Sequence, residues 1–213
     1  PPRYLNADSP APDVQLQHWI QTLCRGNRQH LNHPYQDRNR SFDLLLRESS
    51  NRFEHPTFVE TGTIRSEEDW SGAGFSTYIF GQYLQRHGGV LHSVDLTPAH
   101  CEFARTWTEC FGETVQVHQS DSLKFLQDFG RPIDVLYLDS LDTTEPGHAD
   151  HAYEEYQRAS PWLHDRSLVL FDDTPWNQGA FVGKGARAVP WLLNNGWRIL
   201  YAGYQVLLER DNP

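Results

Sequence analysis

At 213 residues the chain has room for one sizeable core and not for two comfortable domains. Its net charge of −10, from 28 acidic against 18 basic residues, disfavours a nucleic-acid backbone or an anionic membrane surface as partner and suits a neutral or cationic small molecule. No apolar run is long enough to cross a bilayer, and the start at Pro1-Pro2-Arg3-Tyr4 has no secretory apolar core, so a soluble, cytoplasmic protein is expected.

The cysteines Cys24, Cys101 and Cys110 form no CxxC pair, which leaves no disulfide framework or thiolate zinc site to expect. The 11 histidines likewise show no HExxH spacing.

Residues 1–10 are Pro-rich and polar, as in a tail. Asp13 to Leu23 has helical apolar spacing, and after a polar stretch a second short helix is expected around Phe42 to Leu46. Residues 1–55 thus read as a helical extension that covers one side of the fold or the substrate, or forms a homodimer interface. From residue 56 to residue 213 strands and helices alternate. Thr57 to Glu60 is a strand, and Gly74 to His87 a helix with Phe75, Ile79, Phe80, Tyr83 and Leu84 on one face. Gly89 to Asp95 is the next strand, and Thr97-Pro98 supplies an N-cap and a first-turn proline for a helix reaching Phe111. Thr114 to His118 is a strand, Ser120 to Phe129 a helix, Asp134 to Asp139 a strand and His151 to Leu163 a helix.

Ser167 to Asp172 is nearly all apolar, as a strand covered on both faces should be. Arg187 to Asn195 reads as a helix closed by Gly196. Trp197 to Tyr201 and Tyr204 to Glu209 are joined by Ala202-Gly203, too short for a crossover helix, so they pair antiparallel. The fold class is therefore α/β: a doubly wound, mostly parallel seven-stranded sheet with an antiparallel C-terminal hairpin strand.

In such sheets ligands bind beyond the carboxyl ends of the strands. The first strand ends in Glu60-Thr61-Gly62-Thr63, and the chain resumes at a helix start with Gly72-Ala73-Gly74-Phe75-Ser76-Thr77, where glycines let the backbone approach a ligand or simply make a turn. Asp95 ends the second strand, 21 residues after Gly74, near the spacing of about 20 at which an acid accepts ribose hydroxyls in dinucleotide folds. The intervening loop holds Glu67, Glu68 and Asp69 against Arg65 alone, which repels a pyrophosphate and, with Glu60, prefers a sulfonium cofactor.

Taken in order, Phe58-Val-Glu-Thr-Gly-Thr63, Ser93-Val-Asp95, Gln119-Ser-Asp-Ser122, Asp134-Val-Leu-Tyr-Leu-Asp139, Phe171-Asp-Asp-Thr174 and the final hairpin resemble a class I S-adenosylmethionine-dependent methyltransferase over residues 56–210. That resemblance implies a Rossmann-like methyltransferase fold, with Glu60, Gly62, Thr63, Gly74 and Ser76 at the methionine part of the cofactor. It also implies Asp95 at the ribose, Asp121 and Ser122 at the adenine side, and Asp139 near the cofactor. The segment between Gly62 and Gly74 is longer than the compact loop usual in that family.

Within the family, acids at both strand ends are similar to those of magnesium-dependent O-methyltransferases of the catechol and macrolide-sugar types. Asp139, Asp172 and Asp173 match their metal positions, where a Mg²⁺ or other divalent ion would orient a diol and lower its hydroxyl pKa. The plain alternative is a turn cap at Asp172, a solvated Asp173 and an Asp139 that orients the cofactor.

A hydroxyl acceptor also needs a base. His151 in His151-Ala-Tyr-Glu154 resembles the sugar-type His-x-Tyr-Glu, though Ser140 to Asp150 intervene, which makes His148 a rival. Lys184, between Gly183 and Gly185, meets an anionic group or lies exposed, and Trp176 and Phe181 stack on an acceptor or pack as a lid. The expected activity is O-methylation of a small-molecule hydroxyl, a sugar or catechol-like diol. The other readings are a nicotinamide-dependent oxidoreductase and a cofactor-binding relative without turnover.

Overall fold

The computed structural model describes residues 38–71 and 75–211. The tail, the expected helix over Asp13 to Leu23, and Gly74 lie outside the described residues. Helices are α1 (Asn39–Arg52), α2 (Ser76–His87), α3 (Pro98–Thr108), α4 (Ser122–Gln127), α5 (His148–Ala159) and α6 (Ala188–Leu193). Strands are β1 (Thr57–Thr61), β2 (Val90–Asp95), β3 (Val115–Gln119), β4 (Ile133–Leu138), β5 (Leu163–Phe171), β6 (Trp176–Asn177), β7 (Ala180–Phe181), β8 (Trp197–Ala202) and β9 (Val206–Arg210).

Seven strands form one sheet in the order β3-β2-β1-β4-β5-β9-β8, while β6 and β7 form a small hairpin apart from it. The pairs from β3 to β5 are parallel, and β9 runs antiparallel to both β5 and β8. The chain order reverses between β1 and β4, the switch point at which an open α/β sheet leaves a crevice.

The near-continuous apolar runs follow from burial of both sheet faces. Phe58, Val135, Leu168, Leu170 and Leu207 face Phe42, Leu45 and Leu46 of α1 and Ile79, Phe80 and Tyr83 of α2. Their neighbours one residue on, Val59, Leu136, Val169 and Leu208, join α4, α5 and α6 through Leu126, Tyr156 and Leu192. A period of two with both phases apolar puts each strand between two helix layers. Phe42, Phe58 and Tyr137 each meet the Phe80 ring or its neighbour edge-on, at centroid separations of 5.3 to 5.7 Å. Thus α1, longer than the Phe42–Leu46 segment expected, is one wall of the core.

Boundaries differ from expectation where polar residues conceal structure. β5 begins at Leu163, four residues before Ser167, because a register shift against β4 accommodates His164-Asp165-Arg166. Ser167 fastens that bulge by donating to the Ile133 carbonyl at 2.7 Å and accepting from the His164 amide at 2.9 Å. α3 yields to a 3₁₀ turn over Glu109–Thr114. Thr97 does occupy the N-cap of α3, but its side chain makes no capping bond there. Pro190 falls in the first turn of α6, where no intrahelical donor is missing. Among the described residues no helix is long and apolar enough to cross a membrane.

Candidate active site

The carboxyl ends of β1 to β5 open on a cavity of about 330 Å³. Gly62, Thr63, Ser76, Asp95, Asp121, Ser122, Asp139, His151, Asp172, Asp173 and Lys184 all border it, so most residues singled out in the sequence converge. Glu60 and His148 are not among its walls.

On the side of β1 and β2, Gly62 has φ +80°, and a Cβ there would lie 2.6 Å from the Asp139 carbonyl oxygen. Only glycine lets β1 turn this close to the end of β4. Asp95 accepts from the Thr97 amide at 2.7 Å and from the Thr63 amide at 3.4 Å, and His100 Nδ1 is 3.3 Å from either oxygen. The carboxylate is thus oriented towards the cavity. Asp121 caps α4 by accepting from the Lys124 amide at 2.9 Å, which carries Ser122 to the cavity wall.

Glu60, placed by resemblance at the methionine part, is fully buried beneath this floor. Its carboxylate accepts hydrogen bonds from Ser76, from Thr77 at 2.8 Å and from Ser93 at 2.7 Å. Those bonds join β1, β2 and the start of α2. The acidic loop is also structured: Asp69 accepts from the Arg65 amide at 2.6 Å and the Ser66 amide at 3.2 Å, while Arg65 reaches the cavity rim.

His151 stands in the first turn of α5. Its Nε2 lies 3.2 Å from Glu155 and 3.3 Å from the Ser122 hydroxyl. The hydrogen bond to Glu155 outweighs burial and raises the His151 pKa above its ordinary value. Glu155, fully buried, also accepts from Ser140 at 2.7 Å and Thr61 at 3.1 Å. Sequence reading passed over it, although an i, i+4 spacing from His151 was the available signal. The rival His148 instead donates from Nδ1 to the Glu145 carbonyl at 2.8 Å, away from the cavity.

The three acids of the strand ends do meet, with one ligand atom from each within 4.8 Å of the others. They meet around two cations that the sequence did not put there. Arg38 donates to Asp172 from Nε at 2.8 Å and from an η nitrogen at 2.7 Å, and the latter also reaches Asp173 at 3.0 Å. Lys184 donates to an Asp139 carboxylate oxygen, to the Asp139 carbonyl at 3.1 Å and lies 3.3 Å from Asp173. Tyr137 serves the second oxygen of Asp139 at 3.2 Å, Gln205 donates to Asp172 at 2.6 Å, and the Tyr204 hydroxyl donates to Asp173.

Every carboxylate oxygen of the triad therefore already has a hydrogen-bond donor or a cation against it, and as they stand these residues do not fit a divalent ion. Nor is Asp173 solvated or Lys184 exposed: the lysine is 4% exposed. Burial would raise the Asp172 carboxyl, but the Arg38 guanidinium and then Lys184 hold it well below the ordinary range. Burial and the Asp172 charge push Asp139 the other way. Trp176 is largely exposed and packs edge-on against Phe181 across the β6–β7 hairpin at 4.8 Å.

A family model described as a methyltransferase domain matches residues 71–174. The matched segment runs from the loop before α2 to the turn after β5. Among solved structures, it is similar to a candidate O-methyltransferase from Klebsiella pneumoniae, with a TM-score of 0.55 at 14% identity, covering 93% of this chain and 90% of that one. An S-adenosylmethionine-dependent methyltransferase from Clostridium acetobutylicum gives 0.54 at 11% identity, covering 80% and 90%. A candidate rRNA methylase from Clostridium thermocellum gives 0.53 at 10%, covering 80% and 97%. At such identities these structures share the methyltransferase fold with this chain. No curated protein matches it in sequence.

Proposed function

We propose that this domain transfers the methyl group of S-adenosylmethionine to the hydroxyl of a small molecule. The observation that carries the reading is His151 on the cavity wall, backed by the buried Glu155 and beside Ser122, in the same cavity that Asp95 borders. With the cofactor ribose at Asp95 and its adenine side at Asp121 and Ser122, an acceptor enters between His151 and the Asp139 end of β4. When bound, S-adenosylmethionine would supply a methyl on a sulfonium that leaves as a neutral thioether, and His151 would take the proton of the acceptor hydroxyl as its oxygen gains that methyl. Holding both reactants in one cavity supplies much of the rate. The charge of −10 and the acidic cavity favour a small acceptor over the RNA implied by the rRNA-methylase likeness.

Mass spectrometry of a panel of sugar and catechol-like diols, incubated with the protein and S-adenosylmethionine, tests the reading. Product with one added methyl is expected, with a loss of about 10²–10⁴-fold in His151→Ala. Because His151 must be neutral to act as base and Glu155 raises its pKa, the rate falls on acidification from above the ordinary histidine value. Glu155→Gln should shift that limb to lower pH. Turnover untouched by His151→Ala would remove the base from this assignment.

A further inference from the structure

The cluster at the ends of β4 and β5 has the residue types of a divalent-cation site, yet its positive charge is built into the chain. Lys184 donates to a carboxylate oxygen and to the carbonyl of Asp139, and its ammonium pairs with Asp173 at 3.3 Å. Arg38 spans the other side with a bidentate grip on Asp172 and a contact to Asp173.

Neither cation is casually placed. A Cβ on Gly183 would come 1.8 Å from the Asp173 carbonyl oxygen, and one on Gly185 would come 2.4 Å from Thr174, so the flanking glycines let Lys184 lie flat on the acidic turn. The Lys184 amide bonds the Asp173 carbonyl at 3.2 Å, and the Gly185 amide bonds the Thr174 hydroxyl at 2.8 Å. The Arg38 guanidinium lies 4.7 Å over the Tyr204 ring. A divalent ion, which needs carboxylate oxygens at roughly 2.0–2.6 Å, would have to expel an ammonium whose charge repels it.

We infer that Lys184 and Arg38 stand where a divalent cation would, making the Asp139–Asp172–Asp173 cluster a metal-independent wall of the cavity, with Lys184 the positioning residue that fixes Asp139. Calling this wall the acceptor side rests on the methyl-transfer reading; the charge substitution does not.

Calorimetric titration of MgCl₂ and MnCl₂ into the full chain, with neither donor nor acceptor present, tests it. The wild type is expected to show no saturable binding at millimolar metal. Lys184→Ala is expected to bind Mn²⁺ one to one and to recover with Mn²⁺ the melting temperature it loses without it. Lys184→Met, which keeps the stem and drops the charge, provides a second variant should the alanine chain not fold. Saturable one-to-one binding by the wild type, abolished in Asp139→Asn, overturns the inference. So does a folded Lys184 variant that gains no affinity. A chain that binds no metal, whose folded Lys184 variant does, and that methylates nothing refutes the proposed function while leaving the charge substitution standing.

Discussion

Glu60 lies near the carboxyl end of β1, yet its carboxylate points into a ring of hydroxyls from Ser76, Thr77 and Ser93. Those bonds favour the ionised form, but complete burial outweighs them and pushes its pKa from 4.5 to about 7. The native state therefore keeps a proton that the unfolded chain has released, and stability falls as pH rises between those two values, by an amount on the order of 3 kcal/mol. Glu60→Gln removes the charge and keeps the shape, with hydroxyls free to turn towards the amide. The variant is expected to melt above the wild type at pH 8, with the gap closing near pH 5. Equal melting temperatures at both pH values would mean that Glu60 ionises without penalty.

At the level of elements, the loop after β5 rests on glycine. Gly183 has φ +71° and no room for a Cβ, whereas Gly112, at φ +52°, would meet nothing within 4 Å. Both alanine variants bear the left-handed backbone cost, and only Gly183→Ala must also move the Asp173 turn. Gly183→Ala is expected to lose about 1–3 kcal/mol more than Gly112→Ala, read as the difference in urea midpoints. Equal losses would show that the loop relaxes without disturbing the acids. This loop also marks how far the sequence could be read. Apolar runs, the Thr97-Pro98 helix start and the short final link determine the succession of elements and the final hairpin because those signals are local. Lys184 looked like a lone lysine because its partners Asp139 and Asp173 approach only after β4 and β5 pair. Arg38 lies 134 positions before Asp172, with no periodicity to single it out. The β6–β7 hairpin escaped notice because two-residue strands carry no alternation.

For the whole molecule, the sheet gathers Gly62, Asp95, Asp121 and Asp139 from four separate strand ends at one edge, so a ligand that spans them ties the two halves of the fold together. A ligand held only by the native state stabilises it by about 2.7 kcal/mol at a hundred times its dissociation constant. For a chain of this length that converts to roughly 5–10 °C in melting temperature. S-adenosylmethionine is expected to produce such a rise and NAD none, because the loop beside Gly62 offers a pyrophosphate only Arg65 while Glu67 and Glu68 repel it. Asp95→Ala removes the proposed ribose acceptor and is expected to cut the rise obtained at the same cofactor concentration. It should leave the melting temperature without ligand nearly unchanged, since among the described residues the Asp95 carboxylate bonds the Thr63 and Thr97 amides and His100 alone, and its backbone bonds survive the substitution. A rise with NAD equal to that with S-adenosylmethionine would return the cavity to the oxidoreductase reading, because the sheet edge itself serves either nucleotide and only the charge of the loop separates them.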